Sequence, residues 1–371
     1  MRRIIFTVVL IIMSFSFCTH SFAVDDSQSI AEKAGEELFS SIDYDIQKVL
    51  EDMGISEDTF GNISNFSMQN ITDFFSQTLK EKIEKCLKDI LFLLSVILII
   101  GAITSLFLGE KNENMVSLLS CVIMVLLMVN LVKGSLSAAM SVLRLSGKFM
   151  LGFVPVYTMI ISFAGNTASA LTYNSLVMAF AELLSSFISY FSADLLGVFF
   201  CLAISFSMNE EININRFISA VNKTVSLVLG LLSGLFTGFL SIKGVLSVSL
   251  DSISVKGIKF LISSLIPIVG SAISDAYSSL VGSINLIKGS VAVVGILVII
   301  IINLPVILET LIYYISFSLL SNVSELLGNK RLGETLRCFS CGLRILLLLC
   351  VFEMFVLIIS TGIMLTLKGT V

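Results

Sequence analysis

From Ile90 onward the chain alternates apolar runs with short polar interruptions. The runs cover roughly 90–108, 115–132, 149–165, 173–191, 195–208, 224–242, 260–275, 281–304, 306–327 and 345–366, and most approach the ~20 residues that carry a helix across a bilayer. Ahead of them the pattern is amphipathic. Ile30, Ala34, Leu38 and Ile42 share one helical stripe, and Ile46, Val49, Leu50 and Met53 another. A third helix is predicted from Ile71 to Asp89, with Asn70 as its cap, Asp73 in its first turn, and Ile71, Phe74, Phe75, Leu79, Ile83 and Leu87 as its apolar face. The expected fold is therefore all-α: a polytopic helical membrane protein behind a small amphipathic helical head.

Prolines interrupt this pattern at informative places. In Ile258 to Tyr277 an apolar run is broken by Pro267 and Gly270 and closed by Asp275. Lipid tolerates such breaks only where protein or a water-filled cavity satisfies the freed backbone groups. A second broken stretch, Lys148 to Gly165, carries Pro155. The two read as re-entrant segments and as members of an internal repeat. Val116-Ser117-Leu118 recurs as Val225-Ser226-Leu227, Lys133-Gly134 as Lys243-Gly244, Lys148-Phe149 as Lys259-Phe260, and Val154-Pro155-Val156 as Ile266-Pro267-Ile268. The repeats would span 115–223 and 224–340. Broken segments at matching positions of two halves point to a pore or transport site near the midplane.

Composition sharpens the division into parts. The chain is 56% hydrophobic and 13% charged, against about 25% charged in a soluble domain. Residues 24–89 hold 15 acidic and 6 basic side chains, whereas 90–371 hold 12 acidic and 15 basic. An acidic head thus precedes a mildly basic membrane body. Residues 1–23 begin with Arg2 and Arg3, continue through an apolar core and end in Ser21-Phe22-Ala23, which reads as a signal peptide cleaved after Ala23. The length of that core is the one argument for the alternative, an uncleaved first span. Cleavage places residues 24–89 outside the cytoplasm. Their apolar stripes then cover a partner, the bilayer surface or the membrane body itself.

The basic residues are expected in three loops, at Lys133 to Lys148, Lys243 to Lys259 and Lys330 to Arg344. All three would prefer the cytoplasmic side. With a cleaved signal and two crossings before Lys133 the first falls outside, while re-entrant proline segments put the other two inside.

Little of the sequence speaks for catalysis. Its one histidine, His20, lies in the signal segment. Cys338 and Cys341 form a CxxC without the strand-to-helix setting of a redox motif. Gly328 to Thr335 has phosphate-loop spacing, but Glu334 replaces the lysine such a loop requires. No catalytic, cofactor, metal or nucleic-acid site is expected. The candidate pore or broken-helix residues are Pro155, Pro267, Gly270, Asp275, Asn303, Pro305 and Glu309. Further ionisable groups within or beside apolar segments are Glu182, Asp194, Lys243, Lys288 and Glu353; in lipid such groups need a partner or water, and those near a span's end can snorkel instead.

Two patterns carry a resemblance. They are Phe153-Val-Pro-Val-Tyr157, and Gly238-Phe-Leu-Ser-Ile-Lys-Gly244 leading through Ile258-Lys-Phe260 to Pro267-Ile-Val-Gly270 and Asp275. In this order, behind a signal segment and an acidic head, the chain resembles the stage III sporulation protein AE family of endospore-forming bacteria over essentially its whole length. The resemblance implies a membrane subunit of the mother-cell to forespore channel. It would sit in the outer forespore membrane beside an ATPase-like subunit and ring-forming, secretion-like proteins, and serve late forespore gene expression. A stand-alone secondary transporter, with ion coupling through Asp275 and Glu309, is the other functional reading. A purely structural scaffold is the third.

Overall fold

The computed structural model describes residues 68–106, 113–163, 216–236 and 270–366 as continuous stretches, with isolated positions elsewhere. Five long helices account for them: α1 (Met68–Leu106), α2 (Glu113–Phe163), α3 (Arg216–Phe236), α4 (Gly270–Leu326) and α5 (Lys330–Thr366). All five contain stretches long and apolar enough to cross a membrane, and there is no strand among the described residues. In the acidic head, Glu36, Tyr44, Gln47, Lys48 and Glu51 are helical. Tyr44, Lys48 and Glu51 are also exposed, at the spacing expected of the polar side of an amphipathic helix.

Helices replace several expected interruptions. The amphipathic helix 71–89 and the first apolar run are one element, α1, because neither Pro nor Gly lies between Met68 and Ile100 to end it. Lys133 to Lys148 is not a loop: α2 runs through it for 51 residues. This stretch contains good helix formers, and it buries Ser135, Ala139, Leu143 and Ser146 on one face while Lys133, Arg144 and Lys148 stay exposed. Pro155 does not make a re-entrant segment either. It sits on the exposed side of the uninterrupted α2.

Likewise the expected boundary at Asn303–Pro305 is absent, and 281–304 and 306–327 form the single helix α4 with Pro305 inside it. Pro305 removes only the amide that would have bonded the Ile301 carbonyl, and packing on both sides holds the helix together. The basic stretch Lys330 to Arg344 is the first part of α5 rather than a loop. Gly270, expected at a break, is the first residue of α4. The repeat boundary 223/224 falls inside α3, and most of the second broken segment, including Pro267, lies outside the described residues.

Side-chain contacts fix the directions of the helices. Lys82 meets Glu309, Asp89 meets Tyr313, and Thr104 meets Asn329. Residue numbers rise together, so α1 and α4 are parallel. Ser146 meets Asn303, and Phe153 lies against Gly295, so α2 is antiparallel to α4. Ser321 bonds the Gly333 carbonyl and Ser340 the Tyr314 carbonyl, which makes α4 and α5 an antiparallel hairpin. The C-terminal ends of α1 and α4 and the N-terminal ends of α2 and α5 therefore lie at the same end of the bundle.

The α4–α5 turn shows why it is tight. Gly328 has φ +87°, a left-handed conformation that glycine adopts without a Cβ penalty. The Leu327, Gly328 and Asn329 amides bond back to the Val323, Glu325 and Ser324 carbonyls, which closes the end of α4. The carbonyl of Asn329 then accepts the Gly333 amide to start α5, while its buried side chain bonds Thr104 on α1.

Two apolar clusters fill the bundle. Near the turns, Leu93, Ile97, Met124, Met128, Phe317, Leu336 and Phe339 join α1, α2, α4 and α5. Further along, Ala139, Leu143, Val306, Ile307, Ile345, Leu349 and Val356 join α2, α4 and α5, with Phe236 of α3. Outside, α1 presents Leu91, Phe92, Leu98 and Ile99 and α2 presents Met115, Leu119 and Leu126 to the surroundings. So much exposed aliphatic surface on helices of this length belongs in lipid or against another protein.

The bundle is also tall. At ~1.5 Å per residue α2 is about 75 Å long, more than twice the ~30 Å hydrocarbon core of a bilayer. The contacts Thr104–Asn329 and Lys82–Glu309 are themselves separated by about 30 Å along the helices.

Candidate functional site: the polar seams of the bundle

Glu309 is almost completely buried, with its side chain 6% exposed, and it is held in an ion pair by Lys82, whose side chain is 33% exposed. Isolated burial of a carboxylate is costly, and a facing ammonium offsets that cost. One turn further along α4, the Tyr313 hydroxyl donates to Asp89 at 2.6 Å. These two contacts place two polar groups of α1 on one inward stripe with Cys86 and Leu93, both fully or almost fully buried.

Of the three expected coverings for the apolar face of α1, the membrane body is not the one used at Ile83 and Leu87, which are 41% and 50% exposed and left for lipid or a partner. Apolar periodicity finds the most hydrophobic side of a helix; here α4 offers a carboxylate and a phenol, so the matching side of α1 is the polar one. Lys82 and Asp89 were legible only as charges seven residues apart, in step with Cys86 and Leu93.

The second seam lies between α2 and α4. Asn303 is fully buried, and its Nδ2 donates to Ser146 Oγ at 2.8 Å and to the Ile299 carbonyl at 2.9 Å. Its Oδ1 has no hydrogen-bond partner among the described residues. The same is true of Ser135 Oγ, Thr310 Oγ1, Glu353 Oε2 and Ser360 Oγ. Glu353 is 3% exposed on α5. Beside this seam Phe149, Phe153 and Tyr157 stack along α2 with centroids 5.4 and 5.3 Å apart.

The other sequence candidates divide simply. Pro155 and Pro305 lie within continuous helices, so neither marks a break. Asp275 and Lys288 belong to α4, and no more than their helical backbone is described. Ala23, Glu182, Asp194, Lys243 and Pro267 lie outside the described residues. Cys338 and Cys341 are buried within α5 rather than in a loop, and the Cys341 thiol donates to Asn222 Oδ1 of α3. Among the described residues no group of three or more His, Cys, Asp or Glu side chains could hold a metal ion.

Long apolar helices, lipid-suited exteriors and interhelical polar contacts define a multi-pass helical membrane protein. Residues 44–367 match the profile of the stage III sporulation protein AE family, and the chain belongs to that family. Membership carries a role in sporulation. Stage III sporulation protein AE of Bacillus subtilis (strain 168) is 19% identical over 178 residues, which are 48% of this chain and 45% of that relative. The matched stretch thus spans less than half of the relative's length. No solved structure matches the chain.

Proposed function

We propose that this protein is a non-enzymatic, multi-pass membrane subunit of a channel complex joining mother cell and forespore, acting in the outer forespore membrane for late forespore gene expression. The observation that carries the reading is α1. This helix continues without interruption from the acidic head into the membrane body, and Lys82–Glu309 and Asp89–Tyr313 fasten it there. Its apolar residues Ile83 and Leu87 are left facing outward. Such a helix suits transmission of a partner's position from the extracytoplasmic side to the bundle. An ATPase-like subunit and ring-forming proteins are the partners this reading expects, since a gradient or a separate ATPase must supply energy.

Ion coupling through Glu309 is disfavoured, because that carboxylate is already neutralised by Lys82. The deciding experiment is affinity purification of the full chain from sporulating cells, combined with a late forespore reporter. Co-purification of ring-forming and ATPase-like proteins, together with reporter loss in Ile83→Asp/Leu87→Asp at unchanged protein level, is expected. Gradient-driven solute uptake by the purified protein alone in liposomes would overturn the reading in favour of a transporter.

A further inference from the structure

Glu353 is the buried carboxylate that no described residue neutralises. Its neighbours along one face of α5, Leu349, Cys350 and Val356, belong to the cluster that also contains Ala139 and Leu143 of α2 and Val306 and Ile307 of α4. Glu353 therefore stands on the side of α5 turned toward that cluster, to which α3 also contributes Phe236. Asn303 precedes Val306 by one turn, and Ser146 follows Leu143 by one turn, so the hydrogen-bonded Asn303–Ser146 pair flanks the same cluster.

The faces continue in the same character. Thr310 lies two turns from Asn303 on α4, and Ser360 two turns from Glu353 on α5; both are buried with hydroxyl oxygens that lack a partner among the described residues. Because α4 and α5 are antiparallel, these hydroxyls lie to either side of the level of Asn303 and Glu353, and the buried faces of both helices leave hydrogen-bonding capacity unused. A neutral group left unsatisfied in an apolar interior is costly, and an ionised carboxylate considerably more so.

Among the described residues no charge is positioned to relieve that cost. On α2, Lys133, Arg144 and Lys148 lie on the exposed side, as does Arg344 on α5. On α3, Arg216 and Lys223 are exposed. Between Gly289 and Leu308 α4 has no charged residue, and Glu309 beyond it is paired with Lys82. The nearest titratable neighbour on α5 itself is the buried thiol of Cys350.

We propose that Glu353 holds an exchangeable proton in a buried polar site formed with Asn303 and Ser146 between α2, α4 and α5. The protonated carboxyl is neutral, donates one hydrogen bond and accepts others, so it is compatible with the closed bundle. Release of the proton leaves a carboxylate among apolar side chains. The interior must then admit water or separate the three helices to solvate it. Proton occupancy is thereby linked to the packing of the seam. This proposal does not depend on the channel reading.

The test uses the full-length protein in lipid nanodiscs and N,N′-dicyclohexylcarbodiimide, an apolar reagent for protonated carboxyls in apolar surroundings. The carboxyl proton passes to a carbodiimide nitrogen and the carboxylate oxygen bonds the central carbon, followed by rearrangement to the N-acylurea without a leaving group. Peptide mapping is expected to find Glu353 labelled, Glu309 unlabelled, and several-fold less labelling at Glu353 as pH rises. Labelling at Glu353 should be lost in Glu353→Gln, and sodium at constant pH should not protect. Absence of labelling at Glu353 at every pH, or labelling indifferent to pH, overturns the proposal. Protection by sodium also overturns it and assigns the site to a metal cation. Because the wild-type chain supplies the decisive signal, the result does not hang on the folding of the variant.

Discussion

Lys82 and Glu309 stand 227 positions apart in the chain and form an ion pair between two helices that run in the same direction. Parallel neighbours cannot be joined by a short turn, so the α1–α4 contact is made by tertiary folding alone. The pair is also asymmetric, since only the carboxylate is buried. Lys82→Ala should destabilise the protein by about 1–3 kcal/mol, chiefly by stranding Glu309, and Glu309→Gln should then lessen that loss. Thermal unfolding of the two single variants and the double variant in detergent gives the coupling. Strict additivity would deny the pair.

The parallel register has a sharper test at the turn end. A Cβ built on Gly101 would lie 3.1 Å from Leu327 Cβ, close to the ~3.5–4.5 Å separation of disulfide-linked residues. Gly101→Cys with Leu327→Cys in a cysteine-free background should cross-link on mild oxidation. Gly101→Cys paired with a cysteine at Val291, near the far end of the described α4 packing, should not. Mass mapping of the linked peptides checks both.

Gly295 of α4 lies directly against the aromatic stack of α2. A Cβ there would fall 2.4 Å from the Phe153 ring. Gly295→Ala should therefore lower stability by about 1–3 kcal/mol, the usual cost of overpacking, despite alanine's better helix propensity. Phe153→Leu in the same chain should recover much of it. Gly134→Ala on α2 is the control, because nothing lies within 4 Å of its added methyl. There propensity acts alone, and the change should be neutral or stabilising by up to about 1 kcal/mol.

At the α4–α5 turn, backbone geometry rather than packing sets the requirement. Gly328 has no atom within 4 Å of a built Cβ, yet its φ is +87°. Gly328→Ala should cost about 1–2 kcal/mol through the left-handed conformation, and Gly328→Asn distinctly less. The same thermal unfolding assay, with Gly134→Ala for comparison, separates strain from simple loss of glycine.

Much of this architecture was legible in the order of residues. The apolar runs and low charge require a helical membrane protein, since in lipid the backbone must satisfy itself within each helix. The acidic head, the absence of a catalytic constellation as an expectation, and the family resemblance came from the same source. Proline misled. Pro155 and Pro305 suggested ends or re-entry, but one missing amide is a local loss that packing along a long helix can outweigh. The charges misled as well: Lys133 to Lys148 suggested a loop, although a helix can keep lysines on its exposed side while burying Ala139 and Leu143.

What the sequence determined alone is therefore periodic and additive: which stretches are helical and how apolar each is. What the tertiary structure decided is pairwise. It chose the polar stripe of α1 over its apolar one because Glu309 and Tyr313 were waiting on α4. It buried Glu353 where no described residue supplies a neutralising charge. Hydrophobic periodicity within one helix has no information about which side chain a distant helix will present, and that choice fixes where the polar seams run.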